Sequence, residues 1–570
     1  VALSNEDLKA VPQSDRTWST WNYAALWIGM SICIPTYQLA SGLIDKGMNW
    51  WQAVFAVLLG NVIVLVPMIL NGHAGAKYGI PFPVFARASF GTRGANVPAV
   101  LRAIVACGWF GIQTWIGGTS LAVVLEKTVW PQIAETRFVD EVLGVAEHGP
   151  VTVKGTADPE TTLSVVVSGD KATIDKDGNF EAHPIRDANH EVTIVTTTKS
   201  GETKTQKRKV NVGALDVRAG DFLCFLGFWV VNMLIVWAGI DSIRKLLVVK
   251  SVFLPAATLA LLLWAYDAVH KVDPTASGFG PMLSQPSKFA TTGDFFAFFV
   301  PAVTGMVGFW ATLSLNIPDF TRYAKGQREQ ITGQALGLPT AMAAVAFVGV
   351  AVTSATIVLP QFGGHAQWDP KEVVRKFDST GLVAFGMLCV VLSTLATNIA
   401  ANIVSPANDF SNLAPEKISF RRGGYITGLV GILMVPWKLI EDPTGYIFTW
   451  LIGYSALLGP IGGILITDYF IVRKKALDVD DLYSETGRYR YSNGWNPAAL
   501  VALALGILPN IPGFIMTVAP KTAASFPAAG FFMQVYNLAW FVGFGISGLV
   551  YYALTTMRGT DAMRDQKTAV

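Results

Sequence analysis

Long apolar runs broken by short polar loops dominate the chain, near residues 22–44, 51–71, 97–127, 221–239, 247–268, 295–316, 332–359, 380–405, 423–437, 446–472, 498–516 and 533–557. A helix needs roughly 20 apolar residues to cross about 30 Å of hydrocarbon, so the pattern predicts twelve membrane-spanning helices, the ninth being the shortest. Between the third and fourth runs the period changes. From about 148 to 212 the chain alternates in short β-rich runs punctuated by "SGD", "KDGN" and "KSGE", which predicts a small antiparallel β-sandwich. The organisation is then a tail (1–20), helices one to three (21–135), the β module (148–212), helices four to ten (217–475), and a final part (476–570) with a loop, two helices and a tail.

Composition agrees with a membrane protein. Of 570 residues, 52% are hydrophobic and 15% charged, and a mean hydropathy of +0.43 is too high for an ordinary soluble domain. A dispersed net charge of +3 excludes a nucleic-acid groove. The four cysteines, Cys33, Cys107, Cys224 and Cys389, sit in apolar segments without metal-ligand spacing. HExxH, GxxxxGK[ST] and GxSxG motifs are absent, so no enzyme and no bound cofactor is expected.

Basic residues set the expected orientation. Lys77, Arg87 and Arg93, Arg244, Lys245 and Lys250, Arg322, Lys325 and Arg328, Lys417, Arg421 and Arg422, and Arg473 to Lys475 follow the even-numbered runs, which places those loops and both termini in the cytoplasm of a plasma (inner) membrane protein. Lys371, Arg375 and Lys376 break the trend but have Asp369, Glu372 and Asp378 beside them. Val1 follows no cleavable signal in the sequence, so the first run is expected to serve as insertion signal and span. The β module then lies outside; its nine basic and nine acidic residues suit water. It resembles bacterial immunoglobulin-like repeats and reads as a spacer or inserted element ahead of a specific binding role, its partner unassigned.

Four stretches carry candidate chemistry. Pro35 interrupts span one, "WIGMSICIPTYQLASG", by a kink or by local unwinding. Span six, "VPAVTGMVGFWATLSLNIPDF", has Gly305, Gly308 and a mid-span Trp310. Broken helices in corresponding halves point to a transporter site at the midplane. In span three Trp109 and Gln113 share a helix face, suiting a flat neutral ligand with N–H and C=O groups on its rim, or else plain helix packing. In span eight, "LSTLATNIAANIVSP", Ser393, Thr394, Thr397, Asn398 and Asn402 face into the bundle, opposite Leu392, Leu395, Ile399 and Ile403. Those four helices have no carboxylate near mid-span, so a neutral substrate is expected and a proton-relay carboxylate is missing.

The stretches "WNYAALWIGMSICIPTY", "NGHAGAKYGIPFPVFARASFGTRGAN", "WFGIQTW", "FWATLSLNIPDFTRYAK", "ATNIAANIVSPANDFSN", "GPIGGILITDYFIVRKK" and "DLYSETGRYRYSNGWN" together resemble the nucleobase:cation symporter-1 family of hydantoin, allantoin, uracil and cytosine permeases. The likeness spans nearly the whole chain outside the β module, and bacterial allantoin permeases look most similar. It implies the leucine-transporter architecture, two inverted five-helix repeats plus two helices, working by alternating access. It also implies a planar substrate between Trp109 and Trp310, with Gln113 and Asn402 reading its rim.

Two positions depart from the hydantoin-transporting members. Cys33 stands where they have glutamine, and Phe309 where they have glycine. For a sodium site the resemblance implies the carbonyls of Gly29, Ile32 and Ser393 with hydroxyls at the positions of Ala396 and Thr397; Ala396 has none. The coupling ion is therefore sodium, with Thr394 or water substituting, or a proton. Asn398 and Thr394 read as helix-packing groups. The expected function is cation-coupled import of a planar neutral heterocycle or ureide across the bilayer; a ligand-gated channel or sensor using the same pocket is the alternative.

Overall fold

Pro35 divides the first span. A proline leaves the carbonyl four residues earlier without its helical donor, and that carbonyl, Ser31 O, accepts instead from the Cys33 N–H at 3.0 Å. The expected helix 22–44 is thus two, α1 (Thr20–Ser31) and α2 (Ile34–Asp45), with Cys33 extended between them at φ −149°, ψ 161°. Pro35 sits in the first turn of α2, where an N–H has no intrahelical acceptor to lose. Of the two readings of this proline, the structure shows unwinding.

The computed structural model describes residues 3–131, 153–157, 161–174, 179–182, 191–209, 217, 219–238, 240–275, 277–440, 445–519 and 527–568. The expected ends of the β module, the residues of its "KDG" turn, and the side chains of Arg244, Lys245 and Lys250 lie outside the described residues.

After α2 come α3 (Trp50–Tyr78), α4 (Phe82–Phe90), α5 (Asn96–Thr128), α6 (Ala219–Ala238), α7 (Ile240–Val272), α8 (Thr292–Phe309) and α9 (Ala311–Asn316). The chain continues through α10 (Gln327–Val358), α11 (Thr380–Asn402), α12 (Val404–Leu413), α13 (Phe420–Leu433), α14 (Ile452–Ile466), α15 (Pro497–Ile507) and α16 (Ala539–Thr568). Among the described residues ten helical stretches are long and apolar enough to cross a membrane, in place of the twelve expected. The two missing from that number are the divided first span and the ninth, where α13 has only 14 residues.

Span six is broken as well. α8 ends at Phe309, Trp310 takes φ −104°, ψ 9°, and α9 restarts at Ala311. The glycines before the break admit the neighbouring tenth span: a Cβ at Gly308 would collide with the Ser455 side chain and lie 2.7 Å from the Leu451 carbonyl, and one at Gly305 would lie 3.0 Å from the Ile447 side chain. They serve close approach. Span ten itself is a π-helical stretch, Gly445–Leu451, running into α14. Span eight outruns its expected end at 405, because the helix bends at Ile403 (φ −111°, ψ −50°) and resumes as α12.

The chain divides into two compact units, 1–120 with 228–570, and 121–227. Within the second, six strands form one antiparallel sheet: β1 (Val153–Thr156), β2 (Thr162–Val167), β3 (Asp170–Ile174), β4 (Asn179–Ala182), β5 (Glu191–Thr198) and β6 (Thr203–Lys209), in the order β1-β4-β3-β2-β5-β6. Pairing runs through all six strands. β3 pairs with β2 through Asp170 to Ala172 and with β4 through Thr173 and Ile174, so one shared strand joins the two halves. The "SGD" turn is as expected: Ser168 and Gly169, at φ 46° and 90°, close the two-residue hairpin between β2 and β3. Val153, Val165, Val167, Phe180, Val192 and Ile194 form its core.

Candidate functional site

The two helix breaks meet at a chain of buried aromatic rings. Trp109 of α5 touches Phe309 edge-to-face, centroids 5.3 Å apart at 75°. Phe309 touches Trp310 at 4.9 Å and 88°, and Trp310 touches Trp27 of α1 at 5.1 Å and 88°. Such perpendicular contacts set positive ring edges against negative faces. Trp109 and Trp310 are thus brought to one place, with Phe309 in contact with both.

Several buried polar atoms on these helices lack partners. Trp27 Nε1, Trp310 Nε1, Gln113 Oε1 and Gln38 Oε1 are buried with no hydrogen-bond partner among the described residues. A buried unpaired donor or acceptor costs about 1–3 kcal/mol, and each of these atoms keeps the capacity to bond a further group. Two are donors and two acceptors, the complement of a rim bearing C=O and N–H groups. Asn402 Nδ2 donates to Asn398 Oδ1 at 3.1 Å. Asn398 Nδ2 in turn faces Phe110 O (3.2 Å), Thr114 Oγ1 (3.0 Å) and Asn232 Oδ1 (3.3 Å). Asn398 ties α11 to α5 and α6, as expected of a packing group.

Two tyrosines of span ten complete the arrangement, and no sequence motif had singled them out. The Tyr446 hydroxyl donates to Pro35 O at 3.1 Å, and the Tyr454 hydroxyl donates to Gly308 O at 2.8 Å while lying 3.3 Å from Trp109 Nε1. One hydroxyl reaches each broken helix. Buried tyrosines at this spacing in an apolar span were the only available signal.

At the first break, Ile32, Cys33 and Ser393 line a cavity of about 230 Å³ with Tyr37, Cys389 and Val390. Its walls are mostly apolar, and Cys33 Sγ lies 3.3 Å from Thr36 Oγ1. The expected cation ligands divide between α1 and α11. The Cys33 N–H, which in a continuous helix would reach Gly29 O, goes to Ser31 O. Thr397 Oγ1 donates to Ser393 O at 2.9 Å, so two expected ligands are bonded to each other, and buried Ala396 adds no oxygen.

A buried ionic cluster occupies the start of α5 and the end of α12. Arg102 Nη1 donates to Asp409 Oδ2 at 2.8 Å, both side chains fully buried. With its amide nitrogen donating to Thr312 O at 2.7 Å, Asn316 accepts from Arg102 Nη2 at 3.2 Å and from the Ser405 hydroxyl. Asp319 Oδ1 accepts from the Phe82 N–H at 2.8 Å; burial pushes its carboxyl above the usual range, against the pull of Arg322. Asp409 lies beyond the expected end of span eight, where α12 continues, and Asp319 beyond that of span six, so neither carboxylate stands near mid-span.

Among the described residues no group of three or more His, Cys, Asp or Glu side chains is placed to hold a metal. A bundle of long apolar helices, two of them broken beside a buried aromatic site, defines a multi-pass membrane transporter. The family described as "permease for cytosine/purines, uracil, thiamine, allantoin" matches residues 10–148 and 193–543. The chain belongs to this family, the nucleobase-cation-symport-1 permeases, and is a transporter rather than an enzyme. It is 38% identical to the purine-uracil permease NCS1 of Arabidopsis thaliana, over 98% of this chain and 78% of that one. It is 36% identical to the allantoin permease of Bacillus subtilis (strain 168), over 97% and 93%. Its fold is that of Mhp1, a nucleobase-cation-symport-1 family transporter in a closed conformation with bromovinylhydantoin bound, at a TM-score of 0.66 and 21% identity over 98% of this chain and 96% of that one. None of these names supports a ligand-gated channel or sensor.

Proposed function

We propose that the protein imports a planar neutral nitrogen heterocycle or ureide, such as allantoin, a hydantoin or uracil, by cation-coupled alternating access. The observation that carries this reading is the set of unpartnered buried atoms, Gln113 Oε1, Trp310 Nε1 and Trp27 Nε1, beside the Trp109, Phe309 and Trp310 rings. Apolar ring faces hold a flat ring, and the unpaired donors and acceptors read its edge. Asn402 contributes its amide from α11, and Cys33 lies at the first break. The names of the purine-uracil and allantoin permeases support the same substrate class.

In this reading the ten long helical stretches, the divided first span and short α13 make twelve spans, arranged as two inverted five-helix repeats with two helices added. Both termini lie in the cytoplasm of the plasma membrane and the β sheet lies outside, a spacer with no assigned partner. The cation is sodium, held by Gly29, Ile32, Ser393 and Thr397, or a proton.

Thermal-shift measurements with uracil, cytosine, allantoin, hydantoins and purines, each with and without sodium, test substrate and ion together, since a ligand of the folded state raises its stability by mass action. A heterocycle that stabilises the wild type should fail to stabilise Trp109→Ala or Asn402→Ala, and both variants should lose its concentrative uptake. Unchanged uptake in both would sink the site assignment.

A further inference from the structure

The helices proposed to hold the substrate also hold the ionic cluster. Arg102 precedes Trp109 by seven residues on α5, Asp409 follows Asn402 by seven along α11 and α12, and Asn316 and Asp319 follow Trp310 by six and nine. At 1.5 Å per helical residue the cluster lies roughly 10 Å along each helix from the rings. All three displacements run the same way in space, because Arg102, Asn316 and Asp409 meet.

The cluster is built with spare capacity. Arg102 and Asp409 are fully buried and Asp319 is 4% exposed, yet Asp409 Oδ1, Asp319 Oδ2 and Arg102 Nε have no hydrogen-bond partner among the described residues. A desolvated ion pair is a poor source of stability unless its remaining lone pairs are satisfied, so a purely structural latch would not leave a carboxylate oxygen open on each aspartate. An open carboxylate oxygen in a buried site is where a proton adds. The groups that face the two carboxylates are Arg102 and Cys107 from α5, Arg322 beyond α9, the Phe82 N–H from α4 and Ser405 from α12. From α13, Thr427 faces Cys107.

We propose that Asp409 and Asp319, sharing Arg102, form the proton-binding site that couples substrate movement to a proton gradient. This rests on the substrate site assigned above. In the proposed orientation the cluster lies on the cytoplasmic side of the rings, so one carboxylate oxygen of Asp409 takes a proton that enters from the outer side through the open substrate site, and becomes a neutral acid. Arg102 loses its anionic partner, and the ends of α5 and α12 are free to part. Once the site faces the cytoplasm the proton leaves to water there, and the Arg102–Asp409 pair re-forms. One proton and one substrate move in the same direction, and no other bond changes. A sodium ion does not fit here, because the Arg102 guanidinium at the centre would repel it and already holds an Asp409 oxygen.

The test uses the full chain in sodium-free proteoliposomes with pyranine trapped inside, radiolabelled allantoin and uracil as probes, and an inward proton gradient. The wild type should accumulate a probe and acidify the lumen in step with it. Asp409→Asn and Asp319→Asn should lose accumulation and acidification together, and Asp409→Glu should regain both in part. Acidification that persists in both asparagine variants, or accumulation driven by sodium alone without a pyranine change, overturns the proposal. Infrared titration without substrate separates the two readings: the wild type should show a carboxylic-acid band lost on alkalinisation and reduced in each asparagine variant. With that band present and neither probe transported, the substrate class is at fault; without it, the proton site is.

Discussion

Tyr446 and Tyr454 of span ten place one hydroxyl at each broken helix, Tyr446 on Pro35 O at 3.1 Å and Tyr454 on Gly308 O at 2.8 Å. Tyr446 lies in the π-helical start of the span and Tyr454 in α14, so one span holds both breaks. Tyr454 has a second bond, from Trp109 Nε1 at 3.3 Å, and its loss would leave that indole N–H buried and unpaired. Tyr454→Phe is expected to cost about 1–3 kcal/mol and Tyr446→Phe about 1 kcal/mol. Melting midpoints of the two purified variants check the order, and substrate affinity should fall further in Tyr454→Phe because Trp109 is set free to turn.

Phe309 touches both tryptophans, at 5.3 Å and 4.9 Å between centroids. A flat ligand lying between Trp109 and Trp310 must displace that ring or rest against it. Phe309→Ala removes two edge-to-face contacts worth about 0.5–1.5 kcal/mol each, and it opens volume at the same point. The variant should melt lower than the wild type yet accept bulkier rings. Competition of radiolabelled uptake by a 5-aryl hydantoin against unsubstituted hydantoin reads this: the ratio of inhibition should shift toward the aryl compound, and an unchanged ratio would remove Phe309 from the pocket wall.

What the sequence makes legible follows from which forces are local. Pro35 and Trp310 announce their breaks because a missing N–H and a misplaced indole are visible residue by residue, and Trp109, Phe309 and Trp310 do come together. The tie from Tyr454 to Gly308 joins residues 146 apart, and hydropathy carries no trace of such a pairing. The cluster was hidden for a different reason. Asp409 follows an apolar run whose helix bends at Ile403 and continues, so the run ended before the helix did and a buried carboxylate looked like a loop residue. The β module shows the converse: alternation marks the strands, but whether they fold as one sheet or two depends on β3 changing partners midway.

Asp319 makes stability depend on pH in a stated direction. Burial raises its carboxyl above the ordinary range, with Arg322 and the Phe82 N–H opposing. An acid whose folded-state value lies above its unfolded value binds more protons when folded, so stability rises as pH falls through that interval. The melting midpoint of the wild type should therefore increase on mild acidification from neutral, and Asp319→Asn should flatten that part of the slope. A slope unchanged in the variant would assign the dependence to another group.

Ala396 offers the most direct handle on the ion. It is buried on α11 beside Thr397, whose hydroxyl donates to Ser393 O at 2.9 Å. A serine there would supply the oxygen that the proposed sodium site lacks, and hard cations gain affinity with each added oxygen ligand. Its hydroxyl can also bond the carbonyl one turn earlier when no ion is bound, which limits the penalty of burying it. Ala396→Ser should therefore gain sodium-dependent thermal stabilisation relative to the wild type, a tenfold gain in affinity corresponding to about 1.4 kcal/mol. Sodium titration of the melting midpoint, with potassium as the control, measures it. Equal responses to the two ions in Ala396→Ser would show that the oxygens of Gly29, Ile32, Ser393 and Thr397 do not form a sodium cage, and would leave coupling to the carboxylates of Asp409 and Asp319.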